Sequence, residues 1–300
     1  MKSIISHTEH DYNSIKKIIA SIGESYPFVS IGSIGKSVYG RDLPAIRIGR
    51  ASEYVLYVGA FHGTERITSV VLLKFVEEFC ESLKNSAQIS GVDVQKAMYG
   101  RGLIVVPVIN PDGCEIALKG PDSCGYFATK ISRLSGGNYQ KWNANMRGVD
   151  INHNFGAGWS ELHEMERKGG IYGPNPTRYG GSKPESEPET VALTGLCRSV
   201  KIRHVVAFHS QGEVIYWNYG NKQVPRAKKM AEIMATSTGY ALDVPTGLAL
   251  GGGFKDWFIE KYCRPGFTVE IGKGENPLAP EKASQIYEKL REMLVLTVLM

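Results

Sequence analysis

Cysteine is scarce in this 300-residue sequence, which contains five: Cys80, Cys114, Cys124, Cys197 and Cys263. The number is odd, and no pair shows the Cys-x-x-Cys spacing of a redox or metal-binding motif. The sequence therefore predicts no disulfide framework. It indicates reduced thiols that pack as small buried side chains in a cytoplasmic protein.

Long hydrophobic runs are missing as well. The longest apolar run covers about seven residues, 103–109, whereas a transmembrane helix needs about 20. Residues 1–14 include charged side chains and histidines but no sustained apolar stretch, so they do not resemble a secretory signal. These absences predict a protein that stays in the cytoplasm and does not associate with membranes.

Blocks of like charge are absent too. The sequence has 35 basic and 30 acidic residues, a formal net charge of +5, and its lysines and arginines are scattered. This distribution predicts no nucleic-acid partner, while a basic cleft for an anionic substrate stays open. No repeat, linker or change of composition divides the chain, so we expect one domain over residues 1–300. The sequence leaves the oligomeric state open.

Hydrophobic strands alternate with helical segments along most of the chain. Apolar runs rich in β-branched and aromatic residues predict strands at 28–34, 43–48, 54–60, 103–109, 204–208 and 267–271. The spacing of apolar residues predicts helices at 12–25, 68–83, 188–198, 224–238 and 280–299. The expected fold is α/β, with a mixed, mostly parallel central β-sheet flanked by helices on both faces. In such folds, ligands bind at the carboxyl ends of the strands.

Two stretches between these elements stand out. Asn110-Pro111-Asp112-Gly113 has the residue types of a tight turn. Residues 121–183 are irregular and rich in glycine, asparagine and aromatics, and long ordered stretches of this kind are usually functional. Histidines outside the motifs discussed next are predicted to be surface or helix-capping groups; they are His7, His10, His163 and His204.

Two predicted strands end next to histidine. His62 and Glu65 follow the strand at 54–60, on a turn that can aim an imidazole and a carboxylate at one point. Zinc accepts both ligand types and takes three protein ligands at catalytic sites, and His209, after the strand at 204–208, would supply the third. Taken singly, the first pair is equally typical of a helix start, and His209 of a buried, hydrogen-bonded histidine.

Glu270 places a carboxylate near the end of the strand at 267–271. It is either a solvated acid or, if it faces a metal, a general base for hydrolysis.

Several motifs together resemble the zinc carboxypeptidase family in their order and spacing. The resemblance runs from about residue 12 to the end of the chain. The longer motifs are His62-x-x-Glu65, Gly148-Val149-Asp150-x-Asn152-x-Asn154, His209-Ser210 and Phe267-Thr268-x-Glu270. Shorter phrases also recur in that family: Asn110-Pro111-Asp112-Gly113, Ser186-Glu187-Pro188-Glu189-Thr190 and Gly252-Gly253-Phe254-Lys255-Asp256-Trp257.

This resemblance implies one zinc ion per chain, with the ligands His62, Glu65 and His209. It implies Glu270 as the general base and proton shuttle, and Asp150 as the acceptor that fixes the ring of His62. It further assigns a substrate-binding role to Asn152, and His153 and Ser210 beside these motifs are additional candidates for substrate binding.

The sequence also departs from the family pattern. The family motif Asn-Arg-Asn is Asn152-His153-Asn154 here, and histidine cannot reproduce the bidentate grip of arginine on a C-terminal carboxylate. No tyrosine lies near Leu248, where the family has one that covers the substrate. Asn143 stands where a carbonyl-polarising arginine usually follows an aromatic residue. Arg147 is the candidate substitute in catalysis, although pairing with an acid is an equally good interpretation.

These departures fit one branch of the family, the γ-D-glutamyl-diamino acid peptidases of bacterial cell-wall metabolism. The phrases Gln211-Gly212-Glu213-x-Ile215-Tyr216-Trp217 and Trp142-x-Ala144-Asn145-x-Arg147 are similar to that branch. The resemblance implies hydrolysis of the bond from γ-D-glutamate to meso-diaminopimelate or L-lysine in peptidoglycan stem peptides, by water that zinc activates. The alternatives are a carboxypeptidase that releases C-terminal amino acids and a zinc-bearing peptide-binding module without turnover.

Overall fold

The computed structural model describes residue 5 and residues 11–222 and 224–300. Their strands are β1 (Val29–Lys36), β2 (Asp42–Ile48), β3 (Tyr54–Val58), β4 (Gln88–Ile89), β5 (Val92–Asp93), β6 (Gly102–Val106), β7 (Ile202–His209), β8 (Val214–Tyr216), β9 (Ala241–Asp243) and β10 (Gly266–Glu270). Their helices are α1 (Tyr12–Ser25), α2 (Ile67–Lys84), α3 (Val94–Met98), α4 (Pro111–Lys119), α5 (Ala128–Ser135), α6 (Trp159–Lys168), α7 (Pro188–Ser199), α8 (Ala227–Thr238), α9 (Phe254–Tyr262) and α10 (Lys282–Leu299).

Eight of the strands form one sheet with the order β1-β2-β6-β3-β7-β10-β8-β9. The four central strands, β6, β3, β7 and β10, are parallel to their neighbours within that group. Antiparallel pairs join β1 to β2, β2 to β6 and β8 to β10. The predicted mixed, mostly parallel sheet is therefore confirmed.

Both faces of this sheet are covered, as the uninterrupted apolar strands predict. Val55 and Tyr57 of β3 pack in a core with residues of α2 and α10, whereas Leu56 and Val58 pack in a second core with residues of α7 and α9. Successive side chains of a strand point to opposite faces. Because both faces are buried, every residue of β3 is apolar or aromatic.

Several local predictions are corrected by the structure. The predicted turn at Asn110 is a helix start, because Oδ1 of Asn110 accepts the backbone N–H of Gly113 at 2.9 Å at the beginning of α4. The irregular stretch 121–183 contains α5 and α6, and α9 was not predicted at all. His204 is buried and not a surface group; its Nε2 lies 2.8 Å from the carbonyl of Thr297.

Three further predictions concern the N-terminal histidines, the cysteines and membrane helices. His7 and His10 lie outside the described residues. All five cysteines are free; four are buried and Cys263 is exposed. Within 11–222 and 224–300, no helix combines the length and apolar character that crossing a membrane requires.

Candidate active site

Three adjacent parallel strands end at one edge of the sheet and carry the candidate residues there. His209 is the last residue of β7 and Glu270 the last of β10, and their Cα atoms are register partners. β3 lies on the other side of β7, with Val58 opposite Ala207, so the turn after β3 leaves the same edge. The carboxyl ends of the strands thus bring together residues that are far apart in sequence.

The predicted metal ligands converge within this turn and strand end. Nδ1 of His62 lies 2.8 Å from Oε1 of Glu65, and Nδ1 of His209 lies 3.0 Å from Oε2 of the same carboxylate. Glu65 and His209 are nearly inaccessible, with 4% and 2% of their surface exposed, while His62 is partly open. One carboxylate therefore stands between two imidazole nitrogens at the floor of an open site.

This arrangement fits a zinc ion by its donor set and its spacing. The candidate ligand atoms of His62, Glu65 and His209 all lie within 4.8 Å of one another. Zinc prefers imidazole nitrogen and carboxylate oxygen at about 2.0–2.2 Å, and tetrahedral ligands at that radius lie about 3.3 Å apart. The second nitrogen of His62 also has the expected partner, because Nε2 donates to Oδ1 of Asp150 at 3.1 Å.

Electrostatics at the site follow from the same contacts. Burial would lower the pKa of His62, but the charges of Glu65 and Asp150 raise it well above its usual value. Burial would raise the pKa of Glu65, yet His62 and His209 bring it down to about 2. Burial would also raise the pKa of Asp150, and His62 together with His153 holds it below its usual range. Both carboxylates are thus kept ionised against a positive centre.

Glu270 differs from these two carboxylates. Burial and the charge of Glu65 raise its pKa to about 8, and the charge of His62 opposes this shift only in part. A carboxyl group whose pKa lies near neutrality is suited to take up and return a proton.

Close backbone packing fixes the turn that carries His62. A Cβ atom on Gly63 would lie 2.3 Å from the carbonyl oxygen of Gly113 and 2.4 Å from that of Trp142, so only glycine fits there. The side-chain nitrogen Nδ2 of Asn110 donates to the backbone carbonyls of Phe61 at 2.9 Å and of Asn143 at 3.1 Å. This asparagine therefore ties the turn to the loop that contains Asp150.

A cavity of about 380 Å³ opens above the site. Among the predicted residues it is lined by His62, His209, Glu270, Asp150, Asn152 and His153. Leu248, at the position where the family has its covering tyrosine, lines the cavity as well. Asn152 faces it while its Oδ1 accepts the backbone N–H of Phe254 at 3.1 Å, and Nδ1 of His153 lies 2.8 Å from Oε1 of Glu166.

Apart from the buried Glu65, two predicted residues lie outside the cavity lining. The guanidinium of Arg147 is 49% exposed and lies 3.5 Å from the buried Glu187, which matches the interpretation of an arginine paired with an acid. The hydroxyl of Ser210 donates to Oδ1 of Asn276 at 2.8 Å, and Nδ2 of Asn276 donates back to the Ser210 carbonyl. Neither residue lines the cavity, and their roles in catalysis and substrate binding stay predictions.

The cavity is also lined by polar residues to which the sequence analysis assigned no role. Lys255 is 5% exposed; its Nζ is paired with Asp256 and donates to the carbonyl of Asn218 at 2.7 Å. Asn143 lines the cavity, and its Oδ1 accepts the hydroxyl of Thr64 at 2.6 Å. Lys255 and Asp256 show no spacing that indicates a binding role, so only the fold reveals that they line this cavity.

Comparison with known proteins agrees with this geometry. The family model described as zinc carboxypeptidase matches residues 15–295. The chain is 35% identical to the γ-D-glutamyl-L-diamino acid endopeptidase 1 of Lysinibacillus sphaericus, over 93% of this chain and 70% of that protein. It is 26% identical to the murein peptide amidase A of Escherichia coli, over 84% of each chain.

Solved structures show the same fold. Thrombin activatable fibrinolysis inhibitor superposes with a TM-score of 0.75 at 19% identity, covering 98% of this chain and 74% of that one. The chain belongs to the zinc carboxypeptidase family, and it is a zinc-dependent metallopeptidase.

Proposed function

We propose that this metallopeptidase, acting as one catalytic domain, hydrolyses the amide bond between the γ-carboxyl of D-glutamate and meso-diaminopimelate in peptidoglycan stem peptides. The observation that carries the proposal is a cavity beside Glu270 in which a buried lysine and aspartate, Lys255 and Asp256, stand together. Two relatives named γ-D-glutamyl-L-diamino acid endopeptidase and murein peptide amidase support a peptidoglycan-derived substrate. A cytoplasmic location stays a prediction.

The residues at the sheet edge account for hydrolysis. Zinc, when bound by His62, Glu65 and His209, supplies a Lewis acid that polarises the scissile carbonyl and lowers the pKa of water. Glu270 accepts the proton of the attacking water as the carbon–oxygen bond forms. It then delivers that proton to the nitrogen of the diamino acid as the carbon–nitrogen bond breaks. Asp150 holds the Nε2–H of His62, so the Nδ1 lone pair of that ring stays directed at the metal position.

We propose Asn143 as the donor that stabilises the oxyanion of the tetrahedral intermediate. Its Oδ1 accepts the hydroxyl of Thr64, so the amide N–H bonds can serve a substrate in the cavity that Asn143 lines. Donors held rigidly before the reaction stabilise developing charge without reorganisation. This role replaces the one that the sequence suggested for Arg147, whose guanidinium lies against Glu187.

The pair of Lys255 and Asp256 favours diaminopimelate over lysine as the diamino acid. The far end of meso-diaminopimelate carries an ammonium and a carboxylate, whereas the lysine side chain ends in an ammonium alone. Lys255 matches the carboxylate and Asp256 the ammonium, and both residues are at most 5% exposed. Charged hydrogen bonds made out of water are stronger than those at an exposed surface.

Replacing Lys255 by methionine should therefore erase the preference for diaminopimelate. We expect wild-type kcat/KM to be about 10-fold or more higher for the diaminopimelate peptide than for its L-lysine counterpart, since a hydrogen bond to a charged group contributes about 1.5–3 kcal/mol. In Lys255→Met the ratio should fall close to one. Because both substrates are compared within each variant, a general loss of folded enzyme cancels. Lys261→Met, at an exposed position of the same helix, is the matched control, and an unchanged ratio in Lys255→Met would refute the assignment.

A digest of defined muropeptides, read by mass spectrometry, tests the proposed function. With L-Ala-γ-D-Glu-meso-diaminopimelate-D-Ala, we expect L-Ala-D-Glu and a fragment that begins at diaminopimelate. Release of D-alanine alone, or of single C-terminal residues from ordinary L-peptides, would favour the carboxypeptidase alternative. Binding of the peptide by the zinc-loaded protein without any cleavage would favour the binding module.

A further inference from the structure

Glu166 is a carboxylate buried out of contact with water, and it stands behind the cavity. It lies on α6 and is 0% exposed. Its Oε1 is 2.8 Å from Nδ1 of His153, and its Oε2 is 3.1 Å from Nδ1 of His163. Oε2 also accepts the backbone N–H of Gly180 at 3.1 Å. Three donors thus converge on one inaccessible group.

These contacts determine how His153 is presented. An ionised carboxylate only accepts hydrogen bonds, so the Nδ1 atoms of His153 and His163 both carry protons. The ring of His153 then turns its Nε2 to the cavity that this residue lines. A carboxylate without access to water is strongly destabilising unless a positive charge accompanies it, and the imidazoles of His153 and His163 are the groups in hydrogen-bond contact with it that can carry one.

The surrounding backbone leaves this cluster little freedom. A Cβ atom on Gly180 would lie 2.6 Å from the carbonyl oxygen of His153 and 3.1 Å from Oε1 of Glu166. The indole of Trp159 donates to the carbonyl of Gly180 at 2.9 Å and stacks on the ring of His163, with centroids 4.6 Å apart. The position and ring orientation of His153 are therefore set by packed groups on the side away from the substrate.

We propose that Glu166 is a positioning residue that holds His153 as the cationic group for a substrate carboxylate. This inference rests on the proposed function with a stem tripeptide as substrate, in which the terminal diamino acid brings two free carboxylates. Lys255 takes the distal one, and His153 takes the one next to the scissile nitrogen. Arg178 also lines the cavity, but its side chain is exposed. A group that is already fixed in its binding orientation loses less entropy on binding.

The test compares two tripeptides, L-Ala-γ-D-Glu-meso-diaminopimelate with the carboxylate next to the scissile nitrogen free or amidated. We expect wild-type kcat/KM to fall roughly 10- to 100-fold on amidation, since the amide removes one charge-assisted contact. In His153→Gln the two substrates should be cleaved at rates within about three-fold of each other. Glu166→Gln should show the same reduced ratio, mainly through a higher KM for the free carboxylate, and the double variant should be no lower than His153→Gln alone.

Controls separate positioning from a purely structural role. Glu164→Gln, an exposed position of the same helix, should keep the wild-type ratio. If Glu166→Gln lowers activity on both tripeptides equally, Glu166 only stabilises the fold; if His153→Gln keeps the wild-type ratio, another cation such as Arg178 binds the carboxylate. Either result overturns the proposal.

Two further measurements keep the inference separate from the proposed function. If the γ-linked tripeptides are not cleaved, the proposed function fails, and the same ratio is measured on a blocked L-dipeptide with a free or amidated C-terminus. If Glu166→Gln does not fold, the 15N chemical shifts of the His153 ring in the wild-type protein decide, since a cationic imidazole requires protons on both Nδ1 and Nε2. A ring in which either nitrogen is unprotonated contradicts the proposal.

Discussion

Glu270→Gln should reduce kcat by about 100- to 10,000-fold, because a positioned general base contributes a factor of this size. Glutamine keeps the shape of the side chain but cannot take the proton of the attacking water or return it to the leaving nitrogen. The zinc ligands are untouched, so metal content and peptide binding should stay at wild-type levels. Rates on the γ-D-glutamyl-diaminopimelate peptide and metal analysis of the same sample check both expectations.

Glu275→Gln is the matched control for this variant, since Glu275 is exposed and lies five residues away. It should retain wild-type kcat. A Glu270→Gln protein whose kcat stays within a few-fold of wild type, with its zinc in place, would show that another group accepts the proton.

Removal of zinc should abolish hydrolysis and lower the melting temperature by several degrees. A metal that binds the folded chain and not the unfolded one stabilises it by about 2.7 kcal/mol when its concentration is 100 times the dissociation constant. Dialysis against a chelator, followed by rate and melting measurements, tests this, and added zinc should restore both. Persistent activity in protein shown to be free of metal would be incompatible with the proposed chemistry.

His209→Ala should give the same loss of activity without a chelator. Its Nδ1 is one of the two imidazole nitrogens that face the carboxylate of Glu65. We expect less than the one zinc ion per chain that is predicted for the wild type, and added zinc should not restore activity. Full zinc content in this variant would mean that the ion is held elsewhere.

Much of the site was predictable because strands buried on both faces appear in the sequence as uninterrupted apolar runs. An apolar strand that ends in a polar residue marks the carboxyl edge of a parallel sheet, and both β7 with His209 and β10 with Glu270 show this pattern. The turn after β3 added His62 and Glu65 at helical-turn spacing. Neighbouring parallel strands end at the same edge of a sheet. Predicting a parallel sheet therefore also predicted that the residues at these strand ends lie close together.

The rest depends on contacts that no local pattern encodes. Arg147 lies close in sequence to Asp150, yet its guanidinium meets Glu187 some 40 residues further on, at the start of α7. Lys255 resembles any charged residue of a surface helix until the fold buries it beside Asp256. Glu166 belongs to a short charged helix in a stretch that the sequence marked as irregular, and only tertiary packing places its carboxylate behind His153.

Asn110 illustrates the intermediate case. The residue types at 110–113 predicted a turn, whereas Oδ1 of Asn110 accepts the backbone N–H of Gly113 at the start of a helix. The same side chain begins α4 and also joins the turn of His62 to the loop of Asp150. The contact of Asn110 with the start of α4 can be predicted from local sequence. Its contacts with Phe61 and Asn143 depend on the packing of segments that are distant in sequence.

The most direct measurement of one zinc ion held beside Glu270 is an anomalous difference map at the zinc absorption edge, from crystals of the zinc-loaded protein. We expect one strong peak per chain, at about 2.0–2.2 Å from Nδ1 of His62, Nδ1 of His209 and the carboxylate of Glu65. A peak bound to other side chains, or no peak at this edge of the sheet in protein that is active, would contradict the metallopeptidase site described here.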